Sequence, residues 1–173
     1  MPKKRHSYGI VLYRITKNGK PEIFLCKANG IRYWTSLRTK IWGIPKGRPD
    51  IDETPIQTAK REFFEETGNV APDIEYAHLC DFDTPHNKII TVFIGNATGI
   101  KGLKFRGSNI LEAEFPAGSG KIISYPEIAT ARWFGMGKST EILMWGQRGL
   151  MVDIKRHIKS IHPKIKKTKA IAV

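Results

Sequence analysis

Residues 47–69 read GRPDIDETPIQTAKREFFEETGN and hold six of the sixteen acidic residues in the chain. The pattern predicts a helix over 54–68. Thr54 suits the N-cap, Pro55 the first helical position, and Gln57 completes a Thr-x-x-Gln capping box. Gly68 supplies a left-handed stop. At about 100° per residue, Ile56, Ala59, Phe63, Phe64 and Thr67 share one broad face, expected to be buried. Glu62, Glu65 and Glu66 fall on an adjoining arc, so three carboxylates converge.

That convergence costs free energy. Side chains three or four apart on a helix lie about 5–6 Å from one another, and like charges there repel by on the order of 3 kcal/mol at an effective dielectric near ~20. Two arrangements relieve it. One is a solvated acidic face screened by Lys60 and Arg61. The other is a divalent cation, because clustered carboxylate oxygens suit hard ions such as Mg2+ and Mn2+.

The surrounding chain is strongly basic, with 29 Lys and Arg against 16 Asp and Glu and a net charge of +13. Between residues 23 and 49 there is no acid, while Lys27, Arg32, Arg38, Lys40, Lys46 and Arg48 are present. After Asp153 the acids stop again and Lys155, Arg156, Lys159, Lys164, Lys166, Lys167 and Lys169 follow. The first run suits attraction of nucleotide phosphates. The second is either a solvated terminus or a contact surface for nucleic acid.

A length of 173 residues with 40% apolar content fits one domain over 1–173, with its core at about 7–161 and a basic tail at 162–173. No stretch approaches the roughly 18 apolar residues of a membrane span. The basic N-terminus has its apolar run interrupted by Arg14 and lacks a small-residue cleavage site, which argues against a secretory signal. Cys26 and Cys80 lie in apolar, strand-like runs and read as buried thiols of a reducing compartment. The cytoplasm is the expected location.

Apolar, β-branched runs predict strands at 7–15 and 22–27, joined as a hairpin, and at 40–44, 74–82, 88–96, 131–134 and within 103–115. Helical patterns follow at 138–145 and 147–161. Strands outnumber helices without simple alternation, so a mixed sheet covered by helices is expected.

The spacing within the opening segment is specific. Gly47, five residues, Glu53, seven residues, then Arg61-Glu62-Phe63-x-Glu65-Glu66-x-Gly68 resembles the signature of the Nudix hydrolase family. Asn69 departs from the aliphatic residue usual after the last glycine, which touches only packing beyond the helix. The lead-in Trp42-Gly43-Ile44-Pro45-Lys46 and the later SYPEIATARWF and GQRGLMVDI are similar to bacterial members near the diadenosine polyphosphate hydrolases.

This resemblance implies an α/β/α sandwich around a mixed sheet and metal-dependent cleavage of a pyrophosphate linkage in a nucleoside diphosphate derivative. It implies Glu65 and Glu66 as ligands of Mg2+ or Mn2+, and Glu62 as a further ligand or the base. The backbone carbonyl of Lys46 joins them as a ligand, with Glu53 and Arg61 as orienting partners. A glutamate outside the segment assists in some members; Glu112, Glu114 and Glu127 are the candidates here. Arg38, Lys40 and Lys46 suit substrate phosphates, and Trp34, with Tyr33 and Trp42, suits a base. A nucleoside or dinucleoside polyphosphate is the expected substrate. The alternatives are removal of pyrophosphate from RNA 5′ ends, which the basic tail would suit, and a non-catalytic binding module, which an eroded signature would favour. This signature is whole.

Overall fold

The computed structural model describes residues 4–29, 42–84, 87–116 and 118–163. In chain order the elements are β1 (Arg5–Ile15), β2 (Pro21–Ala28), β3 (Trp42–Gly43), β4 (Lys46–Gly47), α1 (Pro55–Thr67), β5 (Tyr76–Thr84) and β6 (Lys88–Asn96). Then come β7 (Ile110–Glu114), β8 (Ile122–Pro126), β9 (Ile128–Gly135), α2 (Met136–Ile142), a 3₁₀ turn (Trp145–Gln147) and α3 (Leu150–Ile161).

The main sheet runs β3-β2-β1-β6-β5, with β4 also on β1 and β9 also on β2. β1 and β6 pair in parallel, from Arg5 opposite Lys88 to Tyr13 opposite Asn96, while the other pairs in this sheet are antiparallel. Strands β7 and β8 form a separate antiparallel hairpin.

Alternation along the strands divides the core into two layers. Ile10, Leu12, Phe24 and Cys26 face α1 and meet Ala59 and Phe63. Val11, Tyr13, Ile23, Leu25, Ile90, Val92 and Ile94 face the other way and meet Ile142, Leu143, Leu150, Met151, Ile154 and Ile158 of the α2–α3 layer. The α/β/α sandwich expected from the sequence is the architecture found.

Helix α1 begins and ends where its punctuation predicts. Thr54 donates its backbone N–H to Gln57 Oε1 at 2.9 Å. Gly68 closes the helix in the left-handed region, φ 69°, and donates to the Phe64 carbonyl. Its buried face differs from expectation. Phe64 is 52% exposed, and Thr58 and Glu66 are buried beside Ala59, Phe63 and Thr67. The helix is rotated so that a carboxylate, not a second phenyl ring, goes inside.

Two further differences are local. No strand is expected at β8, because its Ile-Ile-Ser-Tyr-Pro run is only five residues long and ends on a proline, although Ile122, Ile123 and Tyr125 suit a strand. Strand β4 spans two residues beside Pro45, too short to show a period. Cys26 is buried as expected, whereas Cys80 is only half-buried. Among the described residues no helix is long and apolar enough to cross a membrane.

Candidate active site

The first residue of the signature explains itself in space. Gly47 of β4 lies opposite Tyr8 of β1. A Cβ placed on Gly47 would overlap the Glu62 carboxylate. Glycine therefore lets α1 press Glu62 against the strand, where its side chain is only 14% exposed.

Arg61 organises the carboxylates. Its Nε and Nη2 donate to Glu53 Oε1 and Oε2 at 2.8 and 3.1 Å, a two-pronged grip. Its Nη1 donates to Glu62 Oε1 and Glu65 Oε1, both at 3.1 Å. Nη2 also donates to the Arg48 carbonyl at 2.7 Å, so the same guanidinium ties the strand exit to the helix. Glu53 in turn accepts the Thr58 hydroxyl and the Asp50 N–H, each at 3.0 Å. Arg61, then the Asp50 amide, hold the Glu53 carboxyl down to about 2. Glu53 in particular holds the Arg61 proton more firmly than usual.

Glu66 is the opposite case. It is 5% exposed, and burial pushes its carboxyl up to about 8. The Lys46 charge and backbone N–H oppose this, while Glu127 and Glu62 add to it. Burial raises Glu62 as well; Arg61 opposes, and Glu65 and Glu127 contribute to the rise. Among the described residues no three of His, Cys, Asp and Glu stand in a finished metal-ligand arrangement. Arg61 draws Glu62 and Glu65 to itself. Even so, a buried carboxylate short of positive charge, next to two more on the same helix, has the donor chemistry a hard divalent cation requires.

The three outlying glutamates separate. Glu112 accepts the Ser124 hydroxyl at 3.4 Å across the β7–β8 hairpin, and Glu114 accepts the Gly120 N–H. Glu127 alone of the three contributes to the shifts of Glu62 and Glu66. A relay of backbone bonds brings it there: Asn109 donates to the Glu65 carbonyl at 2.9 Å, and Glu127 donates to the Asn109 carbonyl at 3.0 Å.

Lys46 lies in the site by its strand position. Trp42 packs edge-on against Phe134, with ring centroids 4.6 Å apart, and borders the core. Tyr33, Trp34, Arg38 and Lys40 lie outside the described residues, as do the tail lysines from Lys164. Lys88 was not anticipated. Burial, then Lys46, Arg48 and Arg5, push this half-buried ammonium down to about 8, with Glu62 opposing. Its place at the head of β6, opposite Arg5, follows from strand register and not from any local pattern.

A sheet flanked by helices, with a glycine-seated carboxylate helix held by one arginine, defines a class that sequence comparison identifies. The NUDIX domain profile matches residues 3–140, and the chain belongs to the Nudix hydrolase family, a family of pyrophosphohydrolases. Comparison with curated protein sequences gave no match.

Solved structures share the fold. The NUDIX domain of Shewanella oneidensis NrtR, complexed with ADP ribose, superposes with a TM-score of 0.61 at 15% identity, covering 91% of this chain and 90% of that one. The Ap4A hydrolase of C. elegans gives 0.60 at 16% identity, covering 90% and 98%. A mutT/nudix family protein from Listeria innocua gives 0.62 at 19% identity, covering 94% and 99%.

Proposed function

We propose that this chain hydrolyses a pyrophosphate linkage in a nucleoside or dinucleoside polyphosphate, using Mg2+ or Mn2+. The observation that carries the reading is Glu66: a carboxyl buried at the inner edge of the signature, beside Glu62 and Glu65, where burial disfavours the ionised form and a bound cation would restore it. Glu65, Glu66, Glu62 and the backbone carbonyl of Lys46 would hold the ion. When bound, a divalent ion neutralises phosphoryl oxygens and acidifies a coordinated water.

The remaining work belongs to side chains. Glu53 fixes the Arg61 guanidinium, and Arg61 holds Glu62 and Glu65 in position until substrate and ion arrive. Glu127, raised toward the site by the backbone relay through Asn109, is the base that takes a proton from the attacking water. Its own proton then passes to bulk solvent. Lys46, with Arg38 and Lys40 from the acid-free run, attracts the polyphosphate. That the substrate carries a nucleoside also draws on the fold shared with the C. elegans Ap4A hydrolase and the ADP-ribose-bound NrtR domain.

The test is a turnover screen with Mg2+ and with Mn2+ against diadenosine polyphosphates, nucleoside triphosphates, nucleotide sugars and triphosphorylated RNA. Release of nucleotide from the first two groups, abolished by chelation, is the expected result. Preferential release of pyrophosphate from RNA would replace the substrate assignment.

A further inference from the structure

The sheet face that α1 covers extends past the helix, and there it carries rings and a carboxylate. Along successive rows, Ile10, Phe93 and His78 lie opposite one another on β1, β6 and β5, and so do Tyr8, Thr91 and Asp81. Tyr8 and Phe93 both pack against the core layer beneath α1, which fixes the side these rows present. His6 stacks on Tyr8 with centroids 6.3 Å apart and planes inclined 27°. His78 stands edge-on to Phe93 at 6.3 Å, and its Nε2 lies 3.2 Å from Asp81 Oδ2. His6, His78 and Asp81 are exposed, and Tyr8 is half-buried. None of these side chains belongs to the Nudix signature.

The shelf adjoins the candidate catalytic carboxylates. Tyr8 lies opposite Gly47, and Gly47 is the residue against which Glu62 is pressed. A ligand whose phosphates lie at Glu62 therefore reaches the Tyr8 row with its next group along. Flat rings on an exposed sheet offer a stacking surface that a sugar-phosphate cannot use and a base can. Asp81, an acceptor when ionised, selects a ligand that donates hydrogen bonds. The Thr91 hydroxyl and then His78 hold its carboxyl below the usual range, so it stays an acceptor at neutral pH.

Resting on the hydrolase reading above, we infer that His6, Tyr8 and Asp81 form the nucleoside-binding part of the site. The base stacks on the Tyr8–His6 pair, and Asp81 accepts from either a base amino group or a ribose hydroxyl.

Calorimetric titration of the full chain in Mg2+ tests this, with ADP and inorganic pyrophosphate as the probes. Tyr8→Ala and the exposed His6→Ala should each weaken ADP, Tyr8→Ala by about tenfold or more, while pyrophosphate binding stays unchanged. Tyr8→Phe, which keeps the ring, should bind ADP as the natural chain does. Asp81→Asn should weaken ADP several-fold. If the natural chain binds IDP as weakly as Asp81→Asn binds ADP, the donor is the base amino group. If 2′,3′-dideoxy-ADP behaves that way, the donor is the sugar. Either result supports the shelf.

ADP binding insensitive to Tyr8→Ala, His6→Ala and Asp81→Asn alike, ADP and pyrophosphate weakened together, or no ADP binding by the natural chain overturns it. The two readings fail separately. Hydrolysis that persists with ADP affinity indifferent to Tyr8 removes the shelf alone. Selective ADP binding by a chain that cleaves nothing removes the hydrolase alone.

Discussion

Arg61 grips Glu53 through two nitrogen–oxygen contacts of 2.8 and 3.1 Å, across the turn that leads from β4 into α1. The pair holds no position in the core, yet it decides where the other carboxylates stand, because the same guanidinium reaches Glu62 and Glu65. Replacing Arg61 with Lys keeps the charge and loses the fork. Turnover should fall by about 10²-fold, as expected of a misplacement near 1 Å at a reacting centre, with the circular dichroism spectrum unchanged. Steady-state kinetics of Arg61→Lys checks this; activity near that of the natural chain would show that charge alone suffices.

The same pair sets a pH dependence. Glu53 is held at about 2 in the folded chain, below its ordinary value. Its contribution to stability is therefore complete above the usual carboxylate range and is lost as pH falls from there toward 2. Urea denaturation midpoints between pH 5 and pH 2.5 should fall in the natural chain, and fall less steeply in Glu53→Gln. Parallel curves for the two would remove Glu53 from the account.

Glu65→Gln and Glu66→Gln should each reduce turnover by orders of magnitude while the fold persists. Glu66→Gln should also raise the metal-free melting temperature slightly, because it removes the cost of burying an ionisable carboxyl, whereas Glu65→Gln, which gives up its ion pair with Arg61, should not. Kinetics in Mg2+ and Mn2+, with melting curves in chelator, test both halves. Full activity in both variants, or activity undiminished by exhaustive chelation, would defeat the ligand assignment.

The outlying glutamates give a comparison with its own controls. Glu127→Gln should lower kcat by roughly 10²- to 10⁴-fold, the range of a general base. Glu112→Gln and Glu114→Gln, engaged within or beside their hairpin, should leave kcat nearly unchanged. A large loss in either hairpin variant with an active Glu127→Gln would reverse the choice.

Gly47→Ala isolates geometry from chemistry. It removes no ligand and no charge, but its Cβ would overlap Glu62. Activity should drop by about 10²-fold or more in a protein that still folds, with the defect in kcat more than in KM. Normal kinetics in this variant would mean that Glu62 can move away at no cost.

What the sequence made legible follows from range. The helix ends at Thr54 and Gly68 and the convergence of three glutamates are local facts, set by residues within a few positions of one another. Phe64 and Glu66 exchanged their expected surroundings because helical period defines a face, while the neighbours that cover it come from β1, β2 and β9. Nothing in composition distinguishes Glu127 from Glu112 and Glu114. It is singled out by backbone bonds linking residues 65, 109 and 127. The shelf around Tyr8 and Asp81 was invisible for the same reason, since register alone brings 8, 91 and 81 into one row.

The parallel pairing of β1 with β6 also constrains how this protein is born. Each residue of β1 lies about eighty positions from its partner on β6. A chain emerging N-terminus first therefore exposes the strand with the most buried residues long before the neighbour that shields it has been synthesised. The antiparallel return of β2 can form early, but the middle of the sheet stays open on one side until residue 96 has cleared the ribosome. The signature helix lies wholly within that interval, so it is complete and ready to dock on β1 while the strand is still waiting.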